Sequence, residues 1–142
     1  MNYSLNNDPN TPEYDKWVAT FEKIRDELLA AFLVILDKDK WCKRALARDT
    51  EGDQLFNPSD PKAVQWCLLG AIYKEENWAE ETLTFAANYA KKRGIDDLTR
   101  YNDHEGHAAV IILLVEMLEM LEILGVELKF YDEDGKGEMK RP

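Results

Sequence analysis

A thiol, an imidazole and a carboxamide or carboxylate are the groups a cysteine hydrolase needs. This chain offers them in Cys67, in His104 or His107, and in Asn102 or Asp103. In such a site the imidazole withdraws the thiol proton, and the third group holds the imidazole in the correct tautomer. A reactive thiolate forms at a helix N-terminus or beside cations, whereas an apolar setting raises the thiol pKa and leaves it inert. Cys67 lies among Trp66, Leu68 and Leu69, in what reads as mid-helix, so packing is its expected role.

Metal chemistry also lacks a complete motif. Asp103-His104-Glu105-Gly106-His107 brings imidazoles and carboxylates together. A zincin, however, needs histidines four apart on one helical face with a Glu as base. Here they are three apart, Gly106 intervenes and no third ligand is evident. Asp49, Glu51 and Asp53 begin like a calcium loop. Its twelfth position is Asp60 instead of a bidentate Glu, and Pro58 interrupts it. No metal ligand and no cofactor is expected.

Two binding surfaces are legible. Glu116, Glu119 and Glu122 recur every three residues, as a solvated face or a site for a basic partner. Trp41 and Trp66 offer stacking faces for a small ligand if Asn102-Asp103 faces them. Lys38, Lys40, Lys43, Arg44 and Arg48 form a locally basic stretch that reads as a solvated connector.

These residues need elements to position them. Pro12 and Glu13 after Thr11 start a helix, and Trp17, Phe21, Ile24, Leu28 and Ile35 recur at helical steps to about residue 37. Its second half, 28–36, is apolar throughout and is expected to lie deep. Asp60 as N-cap and Pro61 in the first turn open a second helix, 61–73, apolar nearly all round and therefore central. Asn77 and Glu80 form a capping pattern for a helix over 78–93, closed by Lys91-Lys92-Arg93-Gly94. Asn102-Asp103 caps the last helix, 104–124, which Gly125 ends. Val126 to Phe130 alternates like a strand or extended arm. Trp17, Phe21, Trp78 and Phe85 read as core.

Composition sets outer bounds. A chain of 142 residues with 45% hydrophobic content suits one domain with a real core. A formal charge of −10 disfavours a phosphate-neutralising surface, so direct nucleic-acid binding is not expected. Cys42 and Cys67 each follow a Trp outside any CxxC pair, which predicts buried free thiols. The polar start is no secretory signal, and the run 108–115 is too short to span a bilayer. A cytoplasmic protein is expected.

Taken together, Trp41-Cys42, Ala47-Arg48-Asp49-Thr50-Glu51-Gly52, Trp66-Cys67-Leu68-Leu69-Gly70-Ala71 and Tyr101-Asn102-Asp103 with Gly106 form a pattern. It resembles a family of short, functionally uncharacterised bacterial and bacteriophage proteins, over roughly residues 24–124. Where that family has Trp before Asn-Asp this chain has Tyr101, and His107 falls where the pattern varies. The resemblance implies a bacterial or phage origin and transfers no mechanism.

The expectation is an all-α, compact single-domain bundle of four main helices (12–37, 61–73, 78–93, 104–124). It carries a loop or hairpin-like insertion at 48–58, a flexible leader (1–10) and a frayed tail (131–142). Functionally, the sequence weighs against an enzyme and for a small acidic interaction factor with a basic protein partner and no membrane. A host-takeover or anti-defence role is the narrower form of that expectation. The alternative is a small-ligand or cysteine-hydrolase-like domain using Cys67 with Asn102, Asp103 and His107.

Overall fold

The computed structural model describes residues 12–74 and 80–133. In chain order the elements are α1 (Pro12–Ile35), a 3-10 turn (Lys38–Lys40), β1 (Ala47–Arg48), β2 (Gln54–Leu55) and β3 (Gln65–Trp66). Then follow α2 (Leu68–Tyr73), α3 (Glu80–Lys92), α4 (Leu98–Glu105) and α5 (His107–Glu133). The fold is mainly α, but the expected four-helix, purely α bundle is corrected: there is a fifth helix and a small sheet of order β2-β1-β3. The expected leader, the Thr11 and Asn77 caps, Trp78 and residues 134–142 lie outside the described residues.

α1 forms as its periodicity predicts and stops where Asp37 becomes extended. The Asp37 carboxylate accepts from the Asp39 N–H at 2.9 Å and so opens the 3-10 turn instead of continuing α1. α3 (Glu80–Lys92) lies within the expected 78–93 and ends as expected. Its end is a Schellman motif: Ile95 N–H reaches the Ala90 carbonyl (2.8 Å), Gly94 N–H reaches that of Lys91 (3.0 Å), and Gly94 adopts φ 82.

The expected helix 61–73 is overturned in its first half. Asp60 accepts from Lys62 N–H (2.9 Å) and from Ala63 N–H (2.9 Å), which makes one turn and no more. Val64 N–H then donates to the Arg48 carbonyl at 2.8 Å and draws the chain into the sheet. There β3 pairs antiparallel with β1, Trp66 opposite Ala47 and Gln65 opposite Arg48. A short apolar run suits a buried strand as well as a helix, and here β1 offers a ladder that a helix would leave unpaired.

The expected helix 104–124 is corrected at both ends. Asp97 caps α4, accepting from Thr99 and Arg100 N–H at 3.0 and 3.3 Å, so Asn102, Asp103 and His104 lie inside α4. Gly106, at φ 95, turns the chain into α5. α5 passes through Gly125, where a side chain would meet the Phe21 ring at 2.9 Å; this glycine serves close packing. Residues 126–130, expected extended, continue α5, since a lone strand leaves its backbone unpaired while a growing helix adds one bond per residue.

α1 is the hub, against which α5, α2 and α3 all pack; α2 meets α1 and α4 more than the apolar start of α5. Leu28, Ala31 and Ile35 of α1 are fully buried with Leu68 and Ile72 of α2 and with Leu114 and Met117 of α5. The His107–Ile35 and Gly125–Phe21 contacts run α5 antiparallel to α1. Two expectations of depth fail. Leu29 and Leu33 of α1 and Leu36 just after it are exposed, as are Ile112 and Val115 on α5, because no described element covers the outer side of either helix. Trp17, expected in the core, is also exposed.

Candidate functional site: a buried polar knot at Asn102

Asn102 lies on the inner side of α4 and is fully buried. A buried carboxamide must pair both its donors and its acceptor lone pairs. Its Oδ1 accepts from the indole Nε1 of Trp41 (2.8 Å) and from the backbone N–H of Leu68 (3.0 Å). Its Nδ2 donates to the Cys42 carbonyl (3.1 Å) and to Asp103 Oδ1 (3.2 Å). All four places are filled, and swapping N for O would set donors against donors. Because Leu68 is the first residue of α2, Asn102 caps a helix that precedes its own in sequence.

The same α2 terminus is held by Cys67. Sequence reading placed this residue mid-helix; it is the N-cap, and its Sγ accepts from Gly70 N–H at 3.3 Å. Cys67 N–H donates to the Leu46 carbonyl (3.3 Å), and Gly70 lies against that same carbonyl. A Cβ on Gly70 would fall 1.9 Å from the Leu46 oxygen, so only glycine fits there. The Trp66 indole N–H finds the Pro58 carbonyl at 2.8 Å, and Trp41 and Trp66 face each other across a parallel bridge.

Asp103 and Arg48 brace the outside. Asp103 Oδ1 accepts from Arg44 N–H (2.9 Å), holding Arg44 at φ 63, a left-handed conformation that costs a non-glycine residue about 1 kcal/mol or more. The Arg48 guanidinium donates to the carbonyls of Lys43 (2.9 Å) and Gly52 (2.8 Å). Sequence reading assigned Arg48 to a solvated connector. Its neighbour Asp49 accepts from Glu51 and Asp53 N–H, both at 2.9 Å, and so caps its own loop.

The catalytic alternative therefore meets a specific geometry. His107 Nε2 lies 2.6 Å from the Ile35 carbonyl; a carbonyl only accepts, so Nε2 carries the proton. The His107 ring tilts against Trp41 at 5.5 Å between centroids. Burial pushes the Cys42 thiol up to about 11, with Cys67 adding to the rise and Arg48 opposing it. Burial also pushes the Cys67 thiol up, against the lowering effect of the Gly70 and Leu69 N–H groups. At neutral pH both are protonated, and the imidazole nearest the knot has its Nε2 held by a backbone carbonyl. His104 is exposed. Among the described residues, no group of three or more His, Cys, Asp or Glu side chains is arranged to hold a metal ion.

The expected binding residues divide. Trp41 and Trp66 are buried in the knot. Glu116 is half-buried, ion-paired with Arg93 and accepting from the Tyr89 hydroxyl at 3.2 Å, which ties α5 to the end of α3. Glu119 and Glu122 stand exposed. An open groove of about 420 Å³ lies elsewhere, between α1 and α3, lined by Ile24, Glu80, Glu81 and Phe85.

No curated protein and no solved structure matches the chain. A family match covers residues 22–118 and takes in every side chain of the knot, and the chain belongs to this family, the family of unknown function DUF6197.

Proposed function

We propose that this protein is a small, acidic, non-enzymatic interaction factor that binds a protein partner with a basic surface. One observation carries the reading: Cys67, Asn102 and His107 are each engaged with backbone groups of the fold, while large apolar side chains are turned outward. Leu33 is 61% exposed and Ile112 57%, on long helices with one side uncovered among the described residues. Exposed apolar side chains grouped on a surface suit association with another protein. The formal charge of −10 selects for a basic partner and steers its approach. The origin and cellular role expected from the family resemblance, a bacterial or phage factor of host takeover or anti-defence, fit a protein of this kind.

The test is capture of partners by the full chain from its native cells, followed by rebuilding the complex from two purified chains. A stoichiometric complex supports the reading. Turnover of an ester or amide substrate that Cys67→Ser abolishes, with no complex formed, would replace it with the hydrolase alternative.

A further inference from the structure

The exposed sides of α1 and α5 are patterned alike. On α1 and just after it, Leu29, Leu33 and Leu36 share one face at steps of four and three, all exposed. On α5, Ile112 and Val115 are exposed, with exposed Ala108 a turn before them. Because the helices run antiparallel, the leucine end of α1 lies beside this apolar start of α5.

Carboxylates gather at the other end, around exposed Ile123. Continuing the α5 face one and two turns onward reaches exposed Glu119 and Glu122. Going back along the α1 face reaches exposed Asp26 and Glu22. Arg25, the cation on this side of α1, is committed to Asp26 at 3.1 Å. α3 packs on the opposite side, held by Lys23–Glu81 to α1 and by Arg93–Glu116 to α5. Among the described residues, the open side is thus a two-helix surface with an apolar half and a half in which carboxylates surround Ile123. From Glu22 to Leu36 it extends about 21 Å, or four helical turns.

We infer that this α1–α5 surface docks an amphipathic helix of a partner protein, about four turns long, with an apolar ridge at one end and lysines or arginines at the other. The groove between two antiparallel helices accepts a third by ridge-into-groove packing. Charge decides the occupant. A second copy of this chain would set Glu22, Glu119 and Glu122 against the same carboxylates or against leucines, whereas a basic helix pairs both halves. The inference rests on the proposed interaction role and adds its location and the partner's chemistry.

The probe is a fluorescein-labelled synthetic 16-residue helix with leucines at steps of four and three in its first half and lysines in its second. It is titrated with the full-length protein by anisotropy. Saturable binding is expected, weakened about tenfold or more by Leu33→Asp and, separately, by the double variant Glu119→Lys, Glu122→Lys. Glu51→Lys, on the β1–β2 loop, serves as a control that leaves it unchanged. Circular dichroism verifies that each variant is folded. Absence of saturable binding overturns the inference, as does binding that ignores Leu33→Asp, which is charge attraction alone. A free protein that sediments as a dimer dispersed by Leu33→Asp overturns it in favour of a second copy. If a cellular partner is captured but its affinity ignores these substitutions, the surface is wrong and the interaction role stands. If the probe binds as expected but no partner is captured, the role fails and the surface stands.

Discussion

The Trp41 indole donates to Asn102 Oδ1 at 2.8 Å across 61 positions of sequence, and the same oxygen accepts the Leu68 N–H that opens α2. One carboxamide thus joins the segment after α1, the start of α2 and the body of α4. Removing it leaves several buried donors and acceptors without partners, each costing about 1–3 kcal/mol. Asn102→Ala is expected to lower stability by about 3 kcal/mol or more in urea unfolding. Asn102→Asp is expected to be no milder, because Nδ2 faces two acceptors. A double-mutant cycle with Trp41→Phe should return a coupling of about 1 kcal/mol or more; additivity would mean the contact is passive.

Two glycines in helices separate backbone constraint from side-chain constraint. Gly70→Ala drives a Cβ to 1.9 Å from the Leu46 carbonyl oxygen, which belongs to the backbone and is held by Cys67 N–H. Gly125→Ala meets the Phe21 ring at 2.9 Å, and a ring edge moves aside more easily. Thermal unfolding should show Gly70→Ala severely destabilised, with little folded protein recovered, and Gly125→Ala shifted by no more than a few degrees. Equal effects would contradict this packing.

The buried thiols predict a pH response of definite sign. Cys42 is raised from 9.0 to about 11 in the folded chain, so between those values the unfolded chain has lost a proton that the folded chain keeps. Stability should be fully present below pH 9 and fall as pH rises toward 11. Cys42→Ser is expected to flatten part of that fall, measured as urea midpoint against pH. Labelling by a disulfide reagent at pH 8 should be slow in the native protein for both Cys42 and Cys67 and immediate in denaturant; fast native labelling of Cys67 would revive the nucleophile reading.

The three glutamates of α5 should behave differently from one another. Glu116→Gln removes the ion pair with Arg93 and weakens the bond from Tyr89, and is expected to cost about 1 kcal/mol. Glu119→Gln and Glu122→Gln, at exposed positions, should stay within about 0.5 kcal/mol of the parent. Chemical denaturation of the three single variants decides it.

What the sequence by itself determined is what short-range physics controls. The reach of α1 and α3, the glycine stop at Gly94 and the mainly helical content all follow from periodicity and from caps that act within one turn. The importance of Trp41-Cys42, Trp66-Cys67 and Asn102-Asp103 was also legible, as a pattern without a stated purpose. Tertiary structure alone decided the rest. Gln65–Trp66 became a strand because β1 supplied the partners, and local periodicity carries no information about a ladder across the fold. Asn102 became the cap of α2 because its partners lie 34 and 61 positions away. The apolar run 28–36 is expected to lie deep, yet Leu29, Leu33 and Leu36 stand exposed. Hydrophobicity sets the gain from burial; only the placement of neighbouring helices settles which face receives it.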